Sequence, residues 1–258
     1  MRIDYDRMAE IFDDTRSQSK DLLDSVVLGV SSIASRGERV LDIGCGTGRF
    51  LLPLSRAGIE GHGIDISSGM LERARAKGLA DLVRGDAAVL PFADRAFKAS
   101  LVTNVIHLVP DWKGLMSEAC RVSARAVISF DIHRDERDPI EAFKKIMDGS
   151  GLVQPRAGPL ESELAADCAP ECRIDLGSYE ERKGMREILS AFGKRTYTFQ
   201  SELTEEQNRL CMGEFEKRFG GGDLAWVNSI SMIVWDPAKL SEDLQGLLSA
   251  TRRREPFR

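Results

Sequence analysis

The sequence is poor in cysteine, histidine and aromatic residues, and it has no long apolar run. Its five cysteines (Cys45, Cys120, Cys168, Cys172 and Cys211) are odd in number and spread over 258 residues. That is too sparse for a disulfide scaffold, so free thiols are expected. No stretch approaches the roughly 20 apolar residues that span a bilayer, and the opening MRIDYDRMAE lacks the apolar core of a signal peptide. A cytoplasmic protein without membrane insertion is the expectation. An excess of positive charge is missing too: 36 Lys and Arg stand against 41 Asp and Glu, a net charge of −5. Nonspecific nucleic-acid binding draws on clustered cations, so no nucleic-acid partner is expected. What remains is the make-up of a folded domain, 42% hydrophobic and 30% charged, at a length that suits one domain or one carrying an insertion.

Periodicity organises the chain. Leu22, Leu23, Val26, Val27, Val30 and Ile33 recur at helical spacing within 18–36, and Gly37 ends the run. Apolar segments at 40–43, 61–65, 82–86, 99–104 and 126–131 read as strands, with helices between them over 49–57, 67–76 and 112–122. Such alternation implies parallel strands joined by right-handed crossovers. From 132 to about 180 the rhythm fails. That segment, with one helix over 139–147 and Gly- and Pro-rich connections, reads as an insertion over the sheet. A helix around 185–189, a strand over 195–200, a helix over 204–219 and a strand over 226–235 then complete seven strands. The fold class expected is α/β: a doubly wound, mostly parallel seven-stranded sheet with a helical lid or insertion.

The strongest local signal is Val40-Leu41-Asp42-Ile43-Gly44-Cys45-Gly46-Thr47-Gly48, a strand running into a glycine loop. Glycine allows positive φ and a close backbone approach, and the next helix start presents free N–H groups. The spacing G-x-G-x-G, with no lysine after it, fits neither a dinucleotide loop nor a P-loop. Asp65 ends the second strand, twenty-one residues after Gly44. A carboxylate there hydrogen-bonds two ribose hydroxyls. Asp86, in Gly85-Asp86-Ala87, ends the third strand and is placed to accept from an exocyclic adenine amine. Together these strand ends describe a nucleoside site without phosphate recognition.

These residues resemble the class I S-adenosylmethionine-dependent methyltransferases, within them the small-molecule enzymes of the ubiquinone/menaquinone-biosynthesis type. The likeness covers roughly residues 5–131. It implies a Rossmann-like fold, S-adenosyl-L-methionine as cofactor and S-adenosyl-L-homocysteine as product. It also implies cofactor contacts from Asp42, Gly44, Cys45, Gly46, Gly48, Asp65, Ile66, Gly85, Asp86 and Ala87, with Met70 at the adenine-packing position. Tyr5-Asp6-Arg7-Met8 through Arg16 resembles the family's N-terminal lid, in which Tyr5 and Arg16 approach the methionine end. The implied division is 1–131 for lid and cofactor core, 132–180 for an insertion over the acceptor, 181–240 for the remaining helices and last two strands, and 241–258 for a tail.

Methyl transfer from a sulfonium is an in-line displacement, so the protein mainly orients and desolvates the acceptor. No metal is required. At the fourth strand's end Asn104 is expected beside the cofactor's amino-acid part, and His107 is the candidate base or acceptor orienter. His133, at the end of the fifth strand, is a weaker second. Asn104-Val105-Ile106-His107 lacks the Asn/Asp-Pro-Pro-aromatic tetrad of enzymes that methylate base or amide nitrogens. A small-molecule acceptor in a largely enclosed pocket is therefore expected, on a monomer or homodimer. The acids Glu161, Glu163, Asp167 and Glu171 read equally as a solvated face. Two other readings stay open: an arsenite-type methyltransferase using Cys168 and Cys172, and a non-catalytic S-adenosylmethionine-binding regulatory subunit.

Overall fold

The computed structural model describes residues 5–15, 19–152, 156–195 and 197–252. Strand β1 (Arg39–Ile43) is buried at every position after the first, as befits a parallel strand covered on both faces. Around it, β2 (Glu60–Asp65), β3 (Leu82–Arg84), β4 (Phe97–Leu101), β5 (Ser123–His133), β6 (Cys172–Gly184) and β7 (Asp223–Trp235) form one sheet in the order β3-β2-β1-β4-β5-β7-β6. The first five strands pair in parallel. β7 runs antiparallel to both β5 and β6. The order reverses between β1 and β4, and in open α/β sheets ligands bind at the carboxyl ends beside such a switch point.

The helices are α1 (Tyr5–Thr15), α2 (Lys20–Ser31), α3 (Leu51–Arg56), α4 (Ser68–Ala76), α5 (Trp112–Val122), α6 (Pro139–Gly149), α7 (Glu161–Asp167), α8 (Met185–Gly193), α9 (Glu205–Phe219) and α10 (Pro237–Arg252). Side-chain caps set several starts: Ser19 accepts from Leu22 N at 3.2 Å, Ser67 from Met70 N at 3.2 Å, and Asp138 from Ile140 N at 2.9 Å ahead of Pro139. Caps of this type stabilise a helix by about 1 kcal/mol each. Among the described residues no helix is long and apolar enough to cross a membrane.

Burial follows the sheet's two faces. Leu22, Val26 and Val30 of α2 pack on Val40, Leu101 and Ile128, while Leu115 and Met116 of α5 with Leu240 and Leu244 of α10 pack on Leu41, Ile43 and Val127. A third cluster joins α6, α8 and α9 through Phe143, Ile188, Phe192 and Phe215, resting on Trp226 of β7. That layer has a core of its own, apart from those on the sheet's two faces.

The sheet is the one expected, but its sixth strand lies elsewhere. The strand expected over Arg195–Gln200 is instead a single 3-10 turn, Thr198–Gln200. Gln200 is buried there, its Nε2 donating to Phe192 O at 3.0 Å and to Asn208 Oδ1 at 2.7 Å, which ties the segment between α8 and α9. The true β6, Cys172–Gly184, begins inside the expected insertion and is an edge strand. Ile174 and Leu176 face α2 while charged side chains cover the rest, a composition that edge strands tolerate. The expected tail from 241 is corrected as well: the chain to 252 continues α10, with Leu244 buried against the sheet.

Candidate functional site

The register of the parallel strands gathers the three acids at one edge. Asp42 pairs with Gly63 and with Leu101, Asp65 pairs with Arg84, and Asp86 follows two residues beyond β3. The glycine loop crosses between them, held by Gly44 N donating to Ile64 O at 2.8 Å and Cys45 N to the same oxygen at 3.1 Å. Gly44, Gly46 and Gly48 all have positive φ. A Cβ on Gly44 would come within 2.6 Å of Val105 Cγ2, and one on Gly48 would overlap Leu79 Cδ1. Gly46 alone of the three faces open space. The loop is therefore packed from behind and open in front. Cys45 turns its side chain inward and is 6% exposed, so only its backbone faces the loop's open side.

Asp65 organises this edge. Its Oδ2 accepts from Gly46 N at 2.8 Å and its Oδ1 from Ser67 N at 2.9 Å, linking glycine loop and α4 start. A carboxylate has about four lone-pair sites, so two hydroxyls can still be received. Burial raises its pKa, and the backbone donors oppose that shift. Asp42 differs: it is 3% exposed and its Oδ2 has no hydrogen-bond partner. Burial pushes it up to about 7, against the pull of Arg49 and with a push from Asp65. A buried, unpartnered carboxylate oxygen beside an open glycine fits a cationic ligand. Asp86 is exposed and accepts from Ala88 N at 2.9 Å.

Ile66 is 51% exposed, whereas Met70 is 2% exposed and supports the site from the core. Ala87 packs on the core beneath the third strand's end, and a Cβ on Gly85 would meet Ile64 Cδ1 at 2.8 Å. The lid helix α1 lies across α4 and the loop. Asp6 Oδ1 accepts from Ser67 Oγ at 2.6 Å and Gly69 N at 2.8 Å, Asp13 Oδ1 accepts from Thr47 Oγ1 at 2.6 Å, and Lys77 pairs with Asp13 at 2.7 Å. Those bonds hold the Asp6 carboxyl below its usual range. Tyr5 begins this helix. Arg16, expected at the methionine end, lies outside the described residues, as do Arg253 and Arg254.

Beyond the loop opens a cleft of about 1110 Å³, lined by Asn104, His107, His133, Glu161 and the α6 and α8 layer. It brings together His107 and His133, expected on the acceptor side, with Asn104, expected beside the cofactor's amino-acid part. It is half open and lined by polar and apolar surface in similar measure, where a largely enclosed pocket was expected. Asn104 has φ +56 and donates its N–H to Glu161 Oε1 at 2.8 Å. Asparagine tolerates that conformation better than most residues. His107 sits in the 3-10 turn Ile106–Leu108, its carbonyl accepting from Ala157 N at 2.8 Å. His133 is more peripheral, 57% exposed, with Nε2 3.7 Å from Asp131 Oδ2.

Glu161 is the functional-site residue that sequence reasoning missed. It is 7% exposed, burial raises its pKa, and it holds the Asn104 backbone from α7. Its neighbours Glu163 and Glu171 do face solvent, paired with Arg156 and Arg125, so nothing in the sequence separates it from them. Cys168 is buried and its thiol is pushed up to about 11, whereas Cys172 is exposed. The two do not present the paired thiolates an arsenite site needs.

A sheet of this order with a glycine loop at its switch point defines the Rossmann-like methyltransferase class. A family model described as a methyltransferase domain matches residues 41–128. A 2-phytyl-1,4-naphtoquinone methyltransferase of Synechococcus elongatus is 33% identical over 204 residues, covering 72% of this chain and 84% of that protein. A demethylmenaquinone methyltransferase of Renibacterium salmoninarum is 33% identical over 129 residues, 46% of this chain and 54% of that one. The chain spans about half the length of such demethylmenaquinone relatives. In fold, a solved SAM-dependent methyltransferase of Thermotoga maritima matches with a TM-score of 0.54 at 18% identity, covering 90% of this chain and 97% of that one. The chain belongs to the class I S-adenosylmethionine-dependent methyltransferases.

The three loop glycines give a test of which side faces ligand. Gly48→Ala is expected to lower unfolding free energy by roughly 2–4 kcal/mol, from overlap with Leu79 plus strained backbone. Gly46→Ala is expected to lower it by only about 1–2 kcal/mol and yet to weaken S-adenosylhomocysteine binding. Urea melts and calorimetry on both variants read the two effects; equal behaviour would remove the distinction.

Proposed function

We propose that the chain transfers a methyl group from S-adenosyl-L-methionine to a small-molecule acceptor bound in the cleft, releasing S-adenosyl-L-homocysteine. The carrying observation is the continuity of two half-sites. The open side of Gly46 and the unpartnered oxygen of Asp42 lie on β1's edge, and Asn104, at the adjacent β4 edge, lines the acceptor cleft. The residues fit the cofactor: Asp65 and Asp86 for the nucleoside, Gly44, Cys45, Gly46 and Gly48 through backbone, and Asp42 and Asn104 toward the cationic methionine end. Ile66, Gly85 and Ala87 flank the adenine side, with Met70 behind, and Tyr5 of α1 approaches the methionine end. When bound, the cofactor supplies an electrophilic methyl, and displacement in line with the acceptor atom needs positioning and dryness more than a protein nucleophile.

His107 is proposed to take the acceptor's proton or to orient it, with His133 as a second, outer contact. His107→Ala is expected to lower kcat about 100-fold while S-adenosylhomocysteine affinity stays within a few-fold. Release of S-adenosylhomocysteine in the presence of cell metabolite fractions, followed by mass spectrometry of the methylated product, tests the whole reading. Tight cofactor binding with no acceptor in any fraction would favour the regulatory-subunit alternative. A lining of mixed charge suits a small molecule better than a nucleic acid.

A further inference from the structure

The acceptor cleft carries many charged side chains among its apolar ones. Most of that charge is answered within the wall: Arg134 Nη1 lies 3.0 Å from Asp138 Oδ2, Arg156 Nη1 2.8 Å from Glu163 Oε2, and Lys183 Nζ 3.9 Å from Glu187 Oε1. Lys144 is different. It stands in the middle of α6 facing the cleft, while the adjacent Lys145 pairs with Glu141 at 3.9 Å. Among the described residues Lys144 makes no hydrogen bond and no ion pair; its Nζ lies 5.7 Å from the Phe199 ring centroid.

Burial, and then the nearby Arg134, lower the Lys144 pKa; Glu141 and Asp138 oppose that shift and Arg156 adds to it. A largely buried ammonium with no carboxylate in direct contact still has room for an anion to pair with it. Position gives this a meaning. Lys144 is close enough to Glu161 to act on its carboxyl, and Glu161 in turn holds Asn104 at the cofactor edge. The span from Lys144 to Asn104 therefore lies within the reach of one ligand. Phe199 is stacked on Tyr197, with centroids 5.3 Å apart and planes at 13°, which gives the same wall an aromatic floor.

Resting on the methyl-transfer reading above, we propose that the acceptor carries a carboxylate or phosphate group that Lys144 binds, with the methylated atom at the Asn104 and His107 end. The volume, about 1110 Å³, admits a drug-sized acid rather than only a metabolite of a few atoms. A prenylated quinone offers no anion to Lys144, so on this proposal the acceptor differs from the naphthoquinone named for the relatives.

The test titrates benzoate, phenyl phosphate, neutral benzamide and menadione into the S-adenosylhomocysteine complex, followed by ligand-observed NMR. Wild type, Lys144→Met and Lys144→Arg are compared, after calorimetry has measured S-adenosylhomocysteine binding to each. The expected result is that one or both anions bind wild type about ten-fold tighter than benzamide and menadione. That preference disappears in Lys144→Met and persists in Lys144→Arg. Equal binding of all four probes, no binding of either anion, preference for menadione, or an anion preference that survives Lys144→Met each overturns the proposal. Where S-adenosylhomocysteine binds normally, such a result sinks this inference alone; failure of wild type to bind S-adenosylhomocysteine sinks the methyl-transfer reading as well.

Discussion

Replacing Asp65 with alanine is expected to weaken S-adenosylhomocysteine binding by roughly 10³-fold. Two losses combine. The ribose loses its acceptor, and the glycine loop loses the bond that ties Gly46 N at 2.8 Å to the start of α4. Hydrogen bonds to a charged group contribute about 1.5–3 kcal/mol each, so two of them reach that range. Asp65→Asn keeps one acceptor oxygen and should fall between wild type and alanine. Calorimetry on folded protein, checked by circular dichroism, decides it; affinity within about five-fold of wild type in Asp65→Ala would remove Asp65 from the ribose site.

The Asp42 carboxyl should leave a pH signature in the protein without cofactor. With its pKa near 7 in the fold and about 3.9 in the unfolded chain, the folded state holds a proton between those values that the unfolded state has released. This carboxyl's share of stability is therefore complete below about pH 4 and declines as pH rises to 7. The loss is about 1.4 kcal/mol per unit, on the order of 4 kcal/mol in all. Asp42→Asn should abolish that slope and be the more stable protein at pH 8. A cationic ligand favours the ionised form, so cofactor binding near pH 6.5 should release a proton. Calorimetry in two buffers of different ionisation enthalpy measures it. The same release by Asp42→Asn would assign the proton elsewhere.

The cofactor half was legible because its constraints are local. Glycines that need positive φ, a strand of buried residues and an acid one crossover later all sit within a few tens of residues. Ser67 capping α4 and α5 over Trp112–Val122 follow from the same short-range rules. The acceptor half was not legible, because its order is set at long range. Gln200 and Asn208 fold 195–200 away from strand geometry by bonding Phe192 O, and β6 hides its periodicity under the charges of an edge strand. Glu161 is indistinguishable from Glu163 in sequence; only the fold of α7 onto Asn104 separates them.

The hydrogen bonds of α1 bear on timing. A ligand seated between Asp65 and Ile66 lies behind a helix clasped at both ends, by Asp6 to the start of α4 and by Asp13 to Thr47 and Lys77. On the methyl-transfer reading proposed above, spent cofactor leaves when that clasp opens. Residence time then belongs to a surface helix, and turnover can be paced by departure while the chemical step stays fast. On that reading Asp6 and Asp13, through bonds within the protein alone, would hold the clock of the enzyme.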